Sequence, residues 1–310
     1  MIQKRVFAVK VKRMLFLLVI LLVVSVTAGC KQGESDYQIN FSEMEHIKIQ
    51  NQEKEAPPIR IAISSVLSPT DTIKYYQQIV EYISDTLDSP AILIQRKSYR
   101  EIRNLMINNG ADIALLSTGA YISFEADKNI EPIATQVRMG VPYYYGYIVV
   151  NKQSKVTKFA DLKGKSIAFS DPTSYSGYIF INNKLAKLKD TPDHFFNRYI
   201  FTYNHDRSLN AVINRVVDAA SVDSLAFERA KLQNPELVKD LDIIEKSKPM
   251  GTSPVVINRN LPDKTKTKIK ECFLTMHEQA KLKSALDGLF IDKFVPFDQS
   301  LYKNIYGTEE

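Results

Sequence analysis

The feature that most constrains this chain is an alternation of short apolar runs with longer stretches of helical periodicity. Ile59-Arg60-Ile61-Ala62-Ile63 alternates and reads as a strand. Ser68-Pro69-Thr70-Asp71 then suits a helix start, and Ile73, Tyr76, Ile79, Val80, Ile83 and Leu87 form one apolar helical face. Residues 91–94 make the next strand and 99–108 the next helix. Residues 112–116 are a buried strand that runs into Ser117-Thr118-Gly119-Ala120-Tyr121. Strand and helix alternating at this spacing predict an α/β fold with a mainly parallel sheet covered on both faces.

A second series follows an extended aromatic stretch, Tyr143-Tyr144-Tyr145-Gly146-Tyr147-Ile148-Val149-Val150, which suits a crossover between two lobes. Ser166-Ile167-Ala168-Phe169 is a short strand, and Asp171-Pro172-Thr173-Ser174-Tyr175-Ser176-Gly177 is the turn behind it. Tyr178, Ile181, Leu185 and Leu188 then recur at helical spacing, with Lys184, Lys187 and Lys189 at the far end, where the helix dipole favours cations. Ser174 or Ser176 fits the N-cap. Hydroxyls and free backbone N–H groups gathered at the positive end of a helix make an anion site.

Residues 199–203 form the next strand. Asn204-His205-Asp206 opens a helix with Leu209, Val212, Ile213 and Val216 inward, and Asp223 closes a further strand. Residues 243–247 and 253–257 are extended and carry the chain back before two helices over about 264–290. The expected organisation is lobe one from 57–138 with 250–310, and lobe two from 139–249.

The first 29 residues read as a signal peptide: a basic head (Lys4, Arg5, Lys10, Lys12, Arg13), an apolar run from Met14 and small residues before Cys30. Thr27-Ala28-Gly29-Cys30 resembles the bacterial lipobox, which implies lipidation of Cys30. An uncleaved membrane anchor is the alternative, and either one holds an exported protein at a membrane surface. Residues 30–56 are then a polar tether. The five leading bases account for most of the net charge of +6, so nucleic-acid binding is not implied. With Cys30 lipidated, Cys272 has no partner for a disulfide, and stability rests on the core.

Gly164-Lys165-Ser166 imitates the tail of a phosphate-binding P-loop, but Phe159 stands where that motif needs glycine. The four histidines (His46, His194, His205, His277) show no metal-ligand or catalytic spacing, so neither an enzyme nor a cofactor is expected.

Over about residues 59–306 the chain resembles the phosphonate/phosphite/phosphate-binding receptors of bacterial ABC importers. The carriers are Ser117-Thr118-Gly119-Ala120-Tyr121, Tyr145-Gly146-Tyr147-Ile148-Val149, Asp161-Leu162-Lys163-Gly164-Lys165, Asp171 to Gly177, His205-Asp206 and Phe294-Val295-Pro296. The resemblance implies a two-lobed type 2 periplasmic-binding-protein fold with a ligand cleft between the lobes. It further implies capture of a small phosphorus oxyanion by Ser174, Tyr175, Ser176 and His205. Ser117 and Thr118, with Thr70 or Thr72, complete the cage from lobe one. Asp223 either bonds a P–OH or an amine, or caps the next helix.

The implied partners are an ABC permease and, through the lipid, the membrane. The chain is expected to be a monomer facing the periplasm or the cell exterior. A lipoprotein that reports its ligand to a sensor kinase has the same sequence signature. Facing an anion, His205 is expected to have a raised pKa. Receptors for aminoethylphosphonate use acidic side chains to hold the amine. Their counterparts here are Leu225 and Ser253, which leaves Asp223 as the nearby acid and predicts a ligand without an amine.

Overall fold

The computed structural model describes residues 57–64, 69–123 and 129–303, with only the backbone of 69–72. The signal peptide, Cys30 and the tether lie outside the described residues, as do the side chains of Thr70 and Thr72.

In chain order come β1 (Ile59–Ser64), α1 (Pro69–Leu87), β2 (Ala91–Arg96), α2 (Tyr99–Ile107), β3 (Ile113–Leu115), α3 (Thr118–Ser123) and β4 (Ile130–Val137). The chain then crosses through β5 (Tyr143–Tyr144) into β6 (Gly146–Asn151) and β7 (Ser166–Phe169). A π-helical turn, Tyr175–Ile179, leads into α4 (Phe180–Lys187), followed by β8 (Arg198–Phe201), α5 (His205–Ile213), β9 (Ala219–Asp223), α6 (Ser224–Gln233) and β10 (Leu241–Lys246). β11 (Met250–Gly251) brings it back to β12 (Pro254–Asn258), α7 (Asp263–Thr275), α8 (Lys283–Leu289) and β13 (Lys293–Pro296).

Two sheets result, ordered β13-β4-β12-β3-β1-β2 and β10-β6-β9-β7-β8, and between them β5 and β11 pair as a two-stranded ribbon. We call the first sheet with its helices lobe one and the second lobe two. The parallel character expected from strand–helix alternation holds for β2-β1-β3 and for β8-β7-β9. The remaining pairs are antiparallel, so each sheet is mixed. The reason is connectivity. In lobe one the strands that follow the return, β12 and β13, run against β3 and β4, which precede the crossover, and in lobe two the entering strand β6 runs against β9 and β10.

Both sheets are buried on two faces. In β1, Ile61 and Ile63 join α1, α7 and α8 in one core, while Ala62 joins α2, α3 and Tyr302 in another. β3 and β12 divide the same way, with Ala114 and Val256 opposed to Ile113, Leu115, Val255 and Ile257. In lobe two, Ile167 and Phe169 face α4, and Ala168 faces α5. Each large apolar side chain buried this way contributes about 1.5–3 kcal/mol. The apolar face of α1 is as expected at Tyr76, Ile79, Val80 and Ile83, but Ile73 is 52% exposed. Val216 and Leu188, expected inward, lie past the ends of α5 and α4 and are exposed.

Candidate functional site

The turn between β7 and α4 is organised by its own side chains. Asp171 Oδ1 accepts from the Thr173 N–H (2.8 Å) and hydroxyl (2.7 Å). Ser174 is the N-cap, its Oγ accepting from the Gly177 N–H at 3.1 Å. The Ser174 carbonyl takes both the Tyr178 and Ile179 N–H groups (3.0 and 2.9 Å), which widens the turn to π geometry. The first N–H groups of such a turn have no partner within it. Ser176 is 1% exposed, and its carbonyl accepts from the Ser221 hydroxyl at 2.6 Å. Gly146 permits this approach, because a Cβ there would meet Ser176 Cα at 3.2 Å.

His205 opens α5 and is 2% exposed. Its Nδ1 accepts the Asp223 N–H at 3.1 Å, so the ring proton sits on Nε2. Burial lowers its pKa to about 4. The cause is desolvation, which disfavours the buried imidazolium. His205 is therefore a neutral donor. Asp223 takes the capping role at α6, its Oδ1 accepting from the Leu225 N–H at 2.7 Å. Burial raises its pKa to about 6, against the opposing charge of Arg138.

Lobe one supplies the other wall. Ser117 Oγ accepts from the Ala120 N–H (3.3 Å), and the Thr118 hydroxyl donates to the Gly251 carbonyl oxygen (2.6 Å). Thr118 thus anchors the return crossover. The Tyr175 hydroxyl likewise donates to the Lys248 carbonyl oxygen (3.2 Å), so Tyr175 brings its backbone rather than its hydroxyl to the turn.

Tyr99 and Arg138 escaped the sequence reading, and Tyr144 was placed only in the extended aromatic stretch. The Tyr99 N–H, at the start of α2, donates across the cleft to Asp171 Oδ2 at 3.2 Å. Burial first, then Asp171 and Asp223, raise the pKa of its hydroxyl. Tyr144 stacks edge-on against Tyr175 at 6.3 Å, and its hydroxyl is raised by burial and by Asp223. Arg138, where β4 gives way to the crossover, acts on both Tyr76 and Asp223. The Ser98–Glu101 capping box marks the helix start that places Tyr99. Arg138 has no comparable local signal.

The neutral hydroxyls, a neutral imidazole and helix-start N–H groups gathered here are suited to a tetrahedral oxyanion. Among the described residues, no group of three or more His, Cys, Asp or Glu is placed to hold a metal ion.

Residues 61–302 match the family model of the periplasmic substrate-binding protein of phosphonate ABC transporters. The chain belongs to that family. It is 31% identical over 189 residues to a phosphonates-binding periplasmic protein of Escherichia coli, a match that covers 55% of this chain and 54% of that one. A binding-protein component of an ABC phosphonate transporter from Pseudomonas aeruginosa superposes with a TM-score of 0.72 at 26% identity, over 81% of this chain and 83% of that one. PhnD1 from Prochlorococcus marinus in complex with methylphosphonate also reaches 0.72, at 18% identity over 80% of this chain and 95% of that one. The fold of this family member is the two-lobed type 2 periplasmic-binding-protein fold.

Proposed function

We propose that this protein is an extracytoplasmic lipoprotein that captures a phosphorus oxyanion between its lobes and delivers it to an ABC permease. The observation that carries the reading is the buried Ser174–Gly177 turn, together with neutral His205 held on the Asp223 N–H, on a family fold of phosphonate-transporter binding proteins. Ser174, Ser176 and His205 grip the anion from lobe two. Tyr175 contributes through its backbone, and Ser117 and Thr118 close over the anion with Thr70 or Thr72. Lobe one is residues 57–138 with 250–310 and lobe two 139–249, which the ribbon between the sheets supports. The protein acts as a monomer without enzymatic activity, held by lipid on Cys30 and facing the periplasm or the cell exterior.

The ligand is phosphate, phosphite or a small alkylphosphonate rather than aminoethylphosphonate, because Leu225 packs among Tyr144, Tyr175, Ile179 and Met250 and offers no charge to an ammonium. A thermal-shift panel of phosphate, phosphite, methylphosphonate and 2-aminoethylphosphonate, confirmed by calorimetry, tests this. One of the first three is expected to bind tightest, and binding by none of the four overturns the reading. Cys30→Ala is expected to release the protein from membranes after processing, and retention would count against the lipid anchor.

A further inference from the structure

One loop of lobe one, Lys97-Ser98-Tyr99, touches both of the loops that carry the lobe-two half of the site. The Tyr99 N–H donates to Asp171 Oδ2 at 3.2 Å, while Asp171 Oδ1 holds the turn through Thr173. Tyr99 is the first residue of α2, so its N–H has no acceptor within the helix, and the carboxylate meets the positive end of that helix. Lys97 Nζ lies 4.7 Å from the centroid of the Tyr203 ring, the geometry of a cation–π pair. Lys97 lines one groove with Thr202, Tyr203 and Arg207 of lobe two, and none of the residues that line it is acidic. The Tyr203 ring is therefore the partner that this groove offers to the ammonium.

Both ends of the contact are held. Tyr203 has a left-handed backbone (φ 57°), and its N–H donates to the Ser170 carbonyl oxygen at 2.7 Å. It directly precedes Asn204, which caps α5 by accepting the Arg207 N–H at 3.0 Å, and His205 comes next. In lobe one the Ser98 N–H and hydroxyl each donate to Glu101 Oε2 at 2.8 Å, which closes a capping box around the loop. Two fixed ends in different lobes meet at one relative position of the lobes and part when the cleft opens.

We propose that Lys97 and Tyr203 form a latch that holds the lobes closed over the ligand, if the cleft takes a phosphorus oxyanion as proposed above. Neither side chain touches the ligand, and Lys97 is a positioning residue that acts through Tyr203. The latch shifts the balance between open and closed forms and leaves the contacts to the anion alone. Its loss therefore lowers affinity by one common factor for every ligand that the cleft takes. Ligand enters the open form, and the latch must break before ligand leaves, so the loss falls on the dissociation rate.

The test is calorimetry and tyrosine-fluorescence stopped flow on the full chain in detergent, with phosphate, phosphite and methylphosphonate. Lys97→Met and Tyr203→Leu are each expected to weaken binding by about two- to fivefold, the range for an exposed cation–π pair. Association rates should stay within about twofold of wild type. The double variant should bind no more weakly than the weaker single one, because both changes remove the same contact. Lys97→Arg and Tyr203→Phe, which keep the cation and the ring, should stay within about twofold of wild type. Should Tyr203→Leu fail to fold, Tyr203→Gly suits the positive φ and completes the same cycle. Unchanged affinity in both single variants overturns the proposal, and so do losses that multiply in the double variant. A loss that differs between ligands overturns it by placing Lys97 on the ligand, and a loss confined to association overturns it by making Lys97 a steering charge. Wild-type binding of none of the three overturns the oxyanion reading instead, and the latch falls with it.

Discussion

The two walls of the cleft spend their polar groups differently. In lobe two, Ser174, Asp171 and Asp223 are held by bonds to their own loops, so the turn and His205 are fixed from within the lobe. In lobe one, the Thr118 hydroxyl and the Tyr99 N–H reach outward, to Gly251 of the returning crossover and to Asp171 of lobe two. Lys97 also crosses, lying 4.7 Å over the Tyr203 ring. In the proposed site lobe two is then the preorganised half, and we expect lobe one to close on it. Preorganised donors bind without a reorganisation cost, whereas groups spent on closure make affinity depend on the relative position of the lobes.

The sharpest way to separate these roles is Gly119→Ala. Gly119 lies against the lobe-two turn, and a Cβ there would stand 2.2 Å from the Thr173 carbonyl oxygen and 2.9 Å from the Tyr175 nitrogen. Both are backbone atoms across the cleft, so the clash is relieved by opening the lobes and not by a rotamer change. We expect ligand affinity to fall by about 3 kcal/mol, the upper range for overpacking, or roughly 150-fold. The unfolding temperature without ligand should change little. Scattering should show a smaller radius on ligand addition in the wild type and no change in the variant. Equal affinity in the two proteins would mean that closure over Thr173 is not part of binding.

The complementary break is in lobe two. Ser176→Ala and His205→Ala should each weaken oxyanion binding by about 1–3 kcal/mol, because each leaves a buried acceptor on the ligand unanswered. Their effect should appear without any change in the ligand-induced decrease in radius, unlike that of Gly119→Ala. Full affinity of both variants by calorimetry would remove the turn and His205 from the site.

Much of this was legible in the chain because its signals are local. Alternation pointed to β1, a short apolar run to β3 and helical periodicity to the buried face of α1, while Ser174 and Ser176 were both candidates for the cap that Ser174 provides. The long-range pairs were not legible. Tyr99 meets Asp171 across 72 residues and Thr118 meets Gly251 across 133, and no periodicity records such pairs. The protonation of His205 was also out of reach, since burial and a bond from the Asp223 N–H set it, and both arise only in the folded protein. The antiparallel half of each sheet was missed for a similar reason: a strand that follows a crossover looks in sequence like one that follows a helix.

The wild type itself is expected to respond least to pH, because two residues joined by one bond titrate in opposition. His205 has its pKa lowered from 6.5 to about 4, so its contribution to stability is full above about 6.5 and is lost as pH falls towards 4. Asp223 is shifted the other way, from 3.8 to about 6, so its contribution is full below 3.8 and is lost as pH rises through 6. Between roughly pH 4 and 6 the two slopes oppose, and the wild type should change little in this window through this pair. Protonating His205 at Nδ1 would also break the bond it accepts from the Asp223 N–H, which adds to the acid-side loss. Asp223→Asn removes one slope and should expose the other, with stability rising by about 2–3 kcal/mol from pH 4 to 6.5 relative to wild type. His205→Gln should give the reverse sign, a stability that declines over the same range. Urea unfolding of the three proteins at pH 4, 5, 6 and 6.5 reads these differences directly. Parallel curves for wild type and Asp223→Asn would mean that the Asp223 carboxyl keeps its ordinary acidity.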